Sequence, residues 1–352
     1  AEDSNTVGQY YQEIGWRHTL NKAVAEEAAW LNSHQFLVFS PLQYAVASGE
    51  NISNTEYQFR PAIVAAYNIQ AFKNKLSANI SGRQEWVNSV AAPILPGLGA
   101  GYKLLQKRKD ANFFTLQLRA NVQRTYRIPT LNELYYFPGG NKNLKPEQGW
   151  SQDAGYQFIF QKKHQASDIS VFEITHDVSV FNRNIQDWIY WMGGAIWTPY
   201  NIAKVHSRGM ETDNKLCLQV ANFRFHIGAK VAYVLSTTED SYLPGDGSKG
   251  KQIPYTPRYN GQGNIGCSSG KLFLNYNHTY TGYRFTTIDE SQFIMPYQTG
   301  NLQAMYTLQK QQYAISISAQ LQNIWNQRYE VVNARPMPGR NFLLSLQLGW
   351  KG

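Results

Sequence analysis

Phe114-Thr115-Leu116-Gln117-Leu118-Arg119-Ala120-Asn121-Val122-Gln123 alternates apolar and polar side chains without a break. A period of two is the signature of an extended strand with one apolar and one polar face. Phe114, Leu116, Leu118, Ala120 and Val122 then share one face, and Thr115, Gln117, Arg119, Asn121 and Gln123 the other. The pattern returns from Phe223 to Val231, from Tyr313 to Gln322 and from Phe342 to Trp350. Each run has about ten residues, the length a tilted strand needs to cross a hydrocarbon layer. Strands of soluble sheets are shorter, about 5–6 residues. A soluble sandwich is the rival explanation of the alternation, and the connections speak against it. Read back from the C-terminus, short breaks near 309–311, 268–270, 220–222, 163–167 and 72–74 alternate with long ones near 323–341, 284–298, 238–256, 183–206 and 125–148. Short turns on one side and long loops on the other are the habit of outer-membrane barrels. The fold class expected is all-β, an antiparallel transmembrane β-barrel.

About fifteen strands are expected, starting near Gln9 and ending at Trp350. Single-chain bacterial barrels have even strand numbers, so an odd count implies that one end is missing. Residues 20–33 read as a helical or irregular insert. Glu26 and Glu27, within the helix-like run from Ala23 to Leu31, read as an exposed helix face.

Composition agrees. Of 352 residues, 43% are hydrophobic, 14% aromatic and only 16% charged, with a mean hydropathy of −0.45. Soluble proteins carry about 25% charged residues. No stretch approaches the ~20 apolar residues of a membrane helix. A barrel satisfies both facts, because half of each strand faces water. The net charge of +9 fits a basic surface, a field near anionic head groups, or capture of anionic ligands. Nucleic acid is not an expected partner: the densest basic cluster, Lys107-Arg108-Lys109, falls at an expected turn, with no basic stripe interleaved with aromatics. Cys217 and Cys267 lie on opposite kinds of face with a strand between them, so two free thiols are expected.

No enzyme, cofactor or metal site is expected. The seven His are dispersed, and there is no nucleophile elbow or phosphate loop. His176-Asp177 reads as a polar pair near a strand end. Gly97, Gly99 and Gly101 read as a loop or strand edge, because a dinucleotide fingerprint needs a different spacing and a following helix. The densest aromatic stretch is Trp188, Tyr190, Trp191, Trp197 and Tyr200. It reads either as an interfacial belt at the outer rim or as a ligand-stacking surface in a long loop. Tyr135 and Tyr136 are further loop candidates for the ligand. Arg119, Arg224 and Lys230 are basic lumen candidates, and a hydrated interior explains them equally well.

Several stretches carry a family resemblance. Tyr126-Arg127-Ile128-Pro129-Thr130-Leu131-Asn132-Glu133-Leu134 is followed by Gly140-Asn141-Lys142-Asn143-Leu144-Lys145-Pro146-Glu147. Pro254-Tyr255-Thr256-Pro257-Arg258 comes later, and then Asn323-Ile324-Trp325-Asn326-Gln327-Arg328-Tyr329 with Pro336-Met337-Pro338-Gly339-Arg340. Arg208-Gly209-Met210-Glu211 resembles the opening of a middle strand. In this order the blocks resemble the barrel of TonB-dependent outer-membrane receptors, from about Gln123 to Trp350. Residues 1–122 match by strand pattern alone. The resemblance marks Arg127, Pro129, Glu133, Asn141, Pro146, Glu147, Pro257, Arg258, Asn323, Pro338, Gly339, Arg340 and Trp350 as structural. It implies roughly 22 strands around a plug, of which residues 1–352 would be the C-terminal portion of the barrel, without the plug. It further implies uptake of a metal chelate or corrinoid (ferric siderophore or cobalamin), with outer-membrane lipid around the barrel and the TonB complex reached through the plug. Haem is a weaker expectation, since no His lies between Arg127 and Leu144. A passive porin or export barrel, and less so a barrel enzyme, are the rivals.

Overall fold

The structure is a computed structural model and describes residues 5–21, 31–109, 111–163, 169–193, 196–310 and 312–350. The first elements are β1 (Asn5–Asn21), β2 (Leu31–Gly49), β3 (Ile52–Ala71), β4 (Leu76–Val87), the short β5 (Val90–Ala91), β6 (Leu95–Lys109) and β7 (Asn112–Arg127). A one-turn helix, α1 (Leu131–Tyr135), precedes β8 (Glu147–Lys163), β9 (Ile169–Gly193), β10 (Trp197–Val220), β11 (Phe223–Ser241), β12 (Tyr259–Ser269) and β13 (Leu272–Thr281). Last come β14 (Arg284–Phe285), β15 (Phe293–Ile294), β16 (Tyr297–Lys310), β17 (Tyr313–Gln322), β18 (Glu330–Val332), β19 (Arg335–Pro336) and β20 (Asn341–Trp350). The helical run expected from Ala23 lies, but for Leu31, outside the described residues.

Fifteen strands pair in one path, in chain order from β1 to β20, with β5 attached to β4 and the pairs β14–β15 and β18–β19 off the sheet. Neighbours along the path are antiparallel. This is a partial transmembrane barrel: among the described residues β1 pairs only with β2, and β20 only with β17. Tight turns after β3, β10 and β12 lie at one end, and long loops after β7, β11, β13 and β17 at the other.

Alternation fixes the faces. Leu118, Tyr156, Val178, Thr212 and Val231 are successive cross-strand partners on the outer face. One residue along, Arg119, Gly155, Ser179, Glu211 and Ala232 line the inner face. The outer face bares its apolar side chains, Ile265 at 58% and Leu346 at 64% exposure. Apolar surface costs about 25 cal/mol per Å² in water, so a wall of this kind is unfavourable where it meets water. Ring pairs mark its two ends: Tyr313 against Trp350 at 4.7 Å beside the tight turns, and Tyr233 against Tyr259 at 5.0 Å toward the loops. Aromatic girdles bound the apolar band of such barrels. Both thiols are free, as expected.

Three expectations are corrected. Residues 183–206 are not a loop: β9 and β10 stay paired from Asn184 and His206 up to Gly193 and Trp197. They run for 25 and 24 residues and outreach β8, whose pairing to β9 stops at Gln186. Loops cover both sides of this hairpin, so both faces could become apolar without exposing a core. The glycines Gly97, Gly99 and Gly101 lie inside β6 on its inner face. A Cβ on Gly99 would sit 2.3 Å from Asn79 Oδ1, so the missing side chains let neighbouring amides lie across the strand. His176 and Asp177 lie within β9 rather than at its end, and point to opposite faces. His176 bonds Tyr156 and Asn214 on the outer face, and Asp177 holds Arg119 on the inner one.

Candidate functional site

The long-loop end is braced by the residues that carry the family motifs. Arg127 closes β7 and reaches two carboxylates. Its Nε and Nη2 donate to Glu147 at 2.8 and 2.6 Å, and its Nη1 to Glu133 at 3.1 and 3.0 Å. These bonds, led by those to Glu147, hold the guanidinium pKa above its ordinary value against the opposing effect of burial. Glu133 is placed by α1: Thr130 caps the helix, with its Oγ1 accepting from Glu133 N and its own N–H donating to Glu133 Oε2. A reciprocal cap of this kind satisfies two otherwise orphaned backbone donors. Pro129 enters the turn with its carbonyl bonded by Gln58 Nε2 at 2.8 Å.

The brace then grips the hairpin. Glu147 Oε1 accepts Ile189 N–H at 2.9 Å. Asn141 Nδ2 donates to Pro199 O at 2.9 Å. Asn201 accepts Lys145 N–H and donates to the carbonyls of Lys145 and Asp187, in the stretch where Pro146 leads into β8. Gly139 lies so near that a Cβ there would be 2.0 Å from Trp197 O. A second brace sits at the last loop. Asn323 spans it, accepting Gln327 N–H and donating to Gln327 O and Pro338 O. Asn326 accepts Arg340 N–H, with Gly339 packed beside it. Pro257 leads to Arg258, whose Nη2 is 3.7 Å from Glu290.

The aromatic candidates divide. Trp188, Tyr190 and Met192 pack on Ile202, Ala203, Val205 and Ile253, with Leu243 and Ile288 across from them. Burial pushes the Tyr190 phenol up to about 12. Trp191 meets Tyr136 edge-on at 6.1 Å, and Tyr135 packs beside Ile52 and Leu131 under the Lys142 ammonium. Trp197 and Tyr200 are left open, at 50% and 44% exposure. The same end carries well-bonded carboxylates. Bonds from Thr287 and Ser291 bring Asp289 down to about 2. Asp246 is lowered by bonds from Ser241 and Ser248 although burial opposes them.

The basic lumen candidates are less free than their sequence suggests. Arg119 is held bidentately by Asp177 at 2.6 and 2.7 Å. Lys230 lies 3.3 Å from Asp213. Arg224 stands by the tight turn after β10 and donates to Gln219.

Sequence reasoning overlooked a hollow of about 790 Å³ between the loops before β16 and before β20. Tyr297 and Tyr329 stack there at 4.4 Å beside Met295, Met337 and the exposed Arg328. Tyr329 belongs to a motif read as structural, and nothing in its spacing announces a partner 32 residues earlier.

A family model described as TonB dependent receptor-like, beta-barrel matches residues 3–324. Vitamin B12 transporter BtuB of Vibrio vulnificus (strain YJ016) is 29% identical over 171 residues, covering 47% of this chain and 24% of that protein. A mutant ferric enterobactin receptor (PfeA) of Pseudomonas aeruginosa, solved with enterobactin, superposes with a TM-score of 0.66 at 16% identity, over 97% of this chain and 54% of that one. The siderophore receptor PirA of Acinetobacter baumannii gives 0.66 at 13% identity, over 97% and 55%. The chain thus spans about a quarter of the curated relative and about half of the solved receptors. At these identities the structural likeness establishes the fold.

Proposed function

This chain belongs to the TonB-dependent receptors, and from that we propose that it forms the capturing mouth and much of the wall of an outer-membrane importer of a scarce nutrient. The nutrient is a ferric siderophore or a cobalamin. It is held at the long-loop end, which faces the outside, and passed through the barrel with energy coupled through TonB. One observation carries the reading: Trp197 and Tyr200 are exposed on a hairpin that the Arg127–Glu133–Glu147 brace and Asn201 hold in place. Exposed aromatics on a fixed element bind a bulky, partly apolar ligand without first ordering a loop. The two stand on opposite faces of the hairpin, Tyr200 beside its cross-strand partner Tyr190, and Trp188, Trp191, Tyr135 and Tyr136 are the further aromatic candidates of this end. Arg119 and Arg224 are lesser contributors, the first being neutralised by Asp177.

The test is equilibrium binding to the full receptor, with a ferric tricatecholate and cyanocobalamin as probes. Trp197→Ala with Tyr200→Ala should weaken binding about tenfold, or ~1.4 kcal/mol. If neither probe binds the unaltered receptor at micromolar concentration, the substrate reading is wrong.

A further inference from the structure

The outer face changes character toward the long loops, and only over part of its width. On β10 and β11 its outward pairs run Thr212–Val231, Met210–Tyr233, Arg208–Leu235 and His206–Thr237 toward that end. Tyr233 belongs to the ring pair that ends the apolar band. Arg208 and His206 lie two and four residues beyond its level. At about 3.3 Å of rise per residue, reduced by strand tilt, that is roughly 5 and 10 Å above the ring, the depth of lipid head groups. The row through His206 continues across the sheet to Asn184, Trp150 and Arg124. Arg124 thus stands three strand spacings away, about 14 Å along the row. Hydrogen bonds hold the cluster in place. Arg208 Nη1 can only donate, so His206 Nδ1 accepts it at 2.9 Å and His206 Nε2 donates to Asn182 Oδ1 at 2.6 Å. Asn182 Nδ2 donates in turn to Gln152 Oε1 at 3.2 Å. Arg124 gives one bond, to Gln148 at 3.2 Å. Among the described residues neither guanidinium pairs with a carboxylate. Lys204 and Asp240, a step further toward the loops, pair with each other at 3.8 Å and leave the balance positive. On β3 and β12 the corresponding outward positions carry exposed rings instead, Tyr57, Phe59 and Tyr259. Five strands of the path precede β7 and six follow β10, so neither the lumen nor the two open edges touches this patch.

We propose that this patch docks a phosphorylated glycolipid of the outer leaflet. The inference takes from the uptake reading above only that the long-loop end faces outside. Three features select this occupant. Arg presents a planar fork of donors that matches a phosphate, and two forks set apart along the row suit a head group with more than one phosphate. The carboxamides of Gln152 and Asn184 both donate and accept, as sugar hydroxyls require. The exposed Trp150 beside them offers a ring face to the same sugars. Below the patch the exposed Val180 and Met210 continue the apolar band, against which acyl chains would lie. A free anion would use the charges and leave that band untouched.

The experiment uses the full receptor, plug included, purified in a neutral detergent. Native mass spectrometry measures its binding of diphosphoryl lipid A and of lipid A stripped of both phosphates, with inorganic phosphate as competitor. Arg124→Gln with Arg208→Gln should weaken binding of the diphosphoryl lipid about tenfold and leave the stripped lipid within about twofold. Arg124→Lys with Arg208→Lys keeps both charges and should recover affinity to within about threefold. Migration as a closed barrel before heating, the same in all variants, shows that they are folded. Unchanged affinity in the Gln variant overturns the docking site. So does an equal loss for the stripped lipid, which would mean that the phosphates are not read. Displacement of the lipid by millimolar inorganic phosphate also overturns it, because the site would then be one for a free anion. Import is scored separately in energised cells. An unaltered receptor that imports neither a ferric tricatecholate nor cyanocobalamin overturns the uptake reading, while phosphate-dependent lipid binding that is lost in the Gln variant still supports the docking site.

Discussion

Replacing Arg127 strands two carboxylates at once. Glu133 and Glu147 have side chains only 11% and 9% exposed, and both turn toward the one guanidinium. Because that guanidinium is itself 41% exposed, solvent discounts the loss, and about 2 kcal/mol of local stability is at stake in Arg127→Gln. Glu147 also fixes Ile189 N–H, so the loss should surface in the hairpin as amide exchange about thirtyfold faster at Ile189. Unchanged exchange there would show that the brace does not hold the hairpin. Tyr190 offers a second test at this scale. Its phenol ordinarily titrates at 10.0 and is raised to about 12 by burial. The folded form therefore keeps its proton longer than the unfolded one. The stability gained from packing the neutral ring is complete below pH 10 and is lost as pH rises through about 12. A tyrosinate absorbance titration should lose one of its late-ionising phenols in Tyr190→Phe. The roles of these residues were only half legible beforehand. The motif spacing marked Arg127, Glu133 and Glu147, but ion pairing between positions 6 and 20 residues apart appears only once β7 and β8 are aligned.

Among the elements, the hairpin of β9 and β10 was the hardest to foresee. Trp188-Ile189-Tyr190-Trp191-Met192 is continuously apolar, so the period of two that reveals β7, β11, β17 and β20 is lost. The reason is physical: one face packs on Ile202 and Ile253, and the other meets Tyr136. A strand buried on both sides has no polar face to alternate. Where one side met water, as in β7 or β17, the pattern placed the strand closely. Contact across the hairpin can be tested without touching an aromatic. Gly139→Ala puts a Cβ 2.0 Å from Trp197 O, so either the loop before β8 or the hairpin must move. Probe binding should weaken about tenfold, as in the Trp197/Tyr200 double variant, while the main sheet keeps its thermal midpoint. Binding at full affinity would mean that the hairpin is not part of the mouth.

For the molecule as a whole, parity decides what the sheet can do. Each step along an antiparallel path reverses direction, so the first and the fifteenth strands, β1 and β20, run the same way. Laid edge to edge they could pair only as parallel strands, against the hydrogen-bond pattern of every neighbour in the sheet. An antiparallel closure needs an odd number of further strands between them. A barrel of roughly 22 supplies seven, which agrees with the family to which the chain belongs. In lipid the two open edges are costly, because each unpaired backbone group there forfeits several kcal/mol. The 352 residues refolded alone in detergent should therefore give no compact species that migrates as a closed barrel before heating in dodecyl sulfate. Co-refolding with a segment carrying an odd number of strands from the same receptor should produce one, and a segment with an even number should not. A closed, heat-shifting species from the 352 residues alone would show that β1 and β20 do meet, and the fifteen-strand path would have to be redrawn.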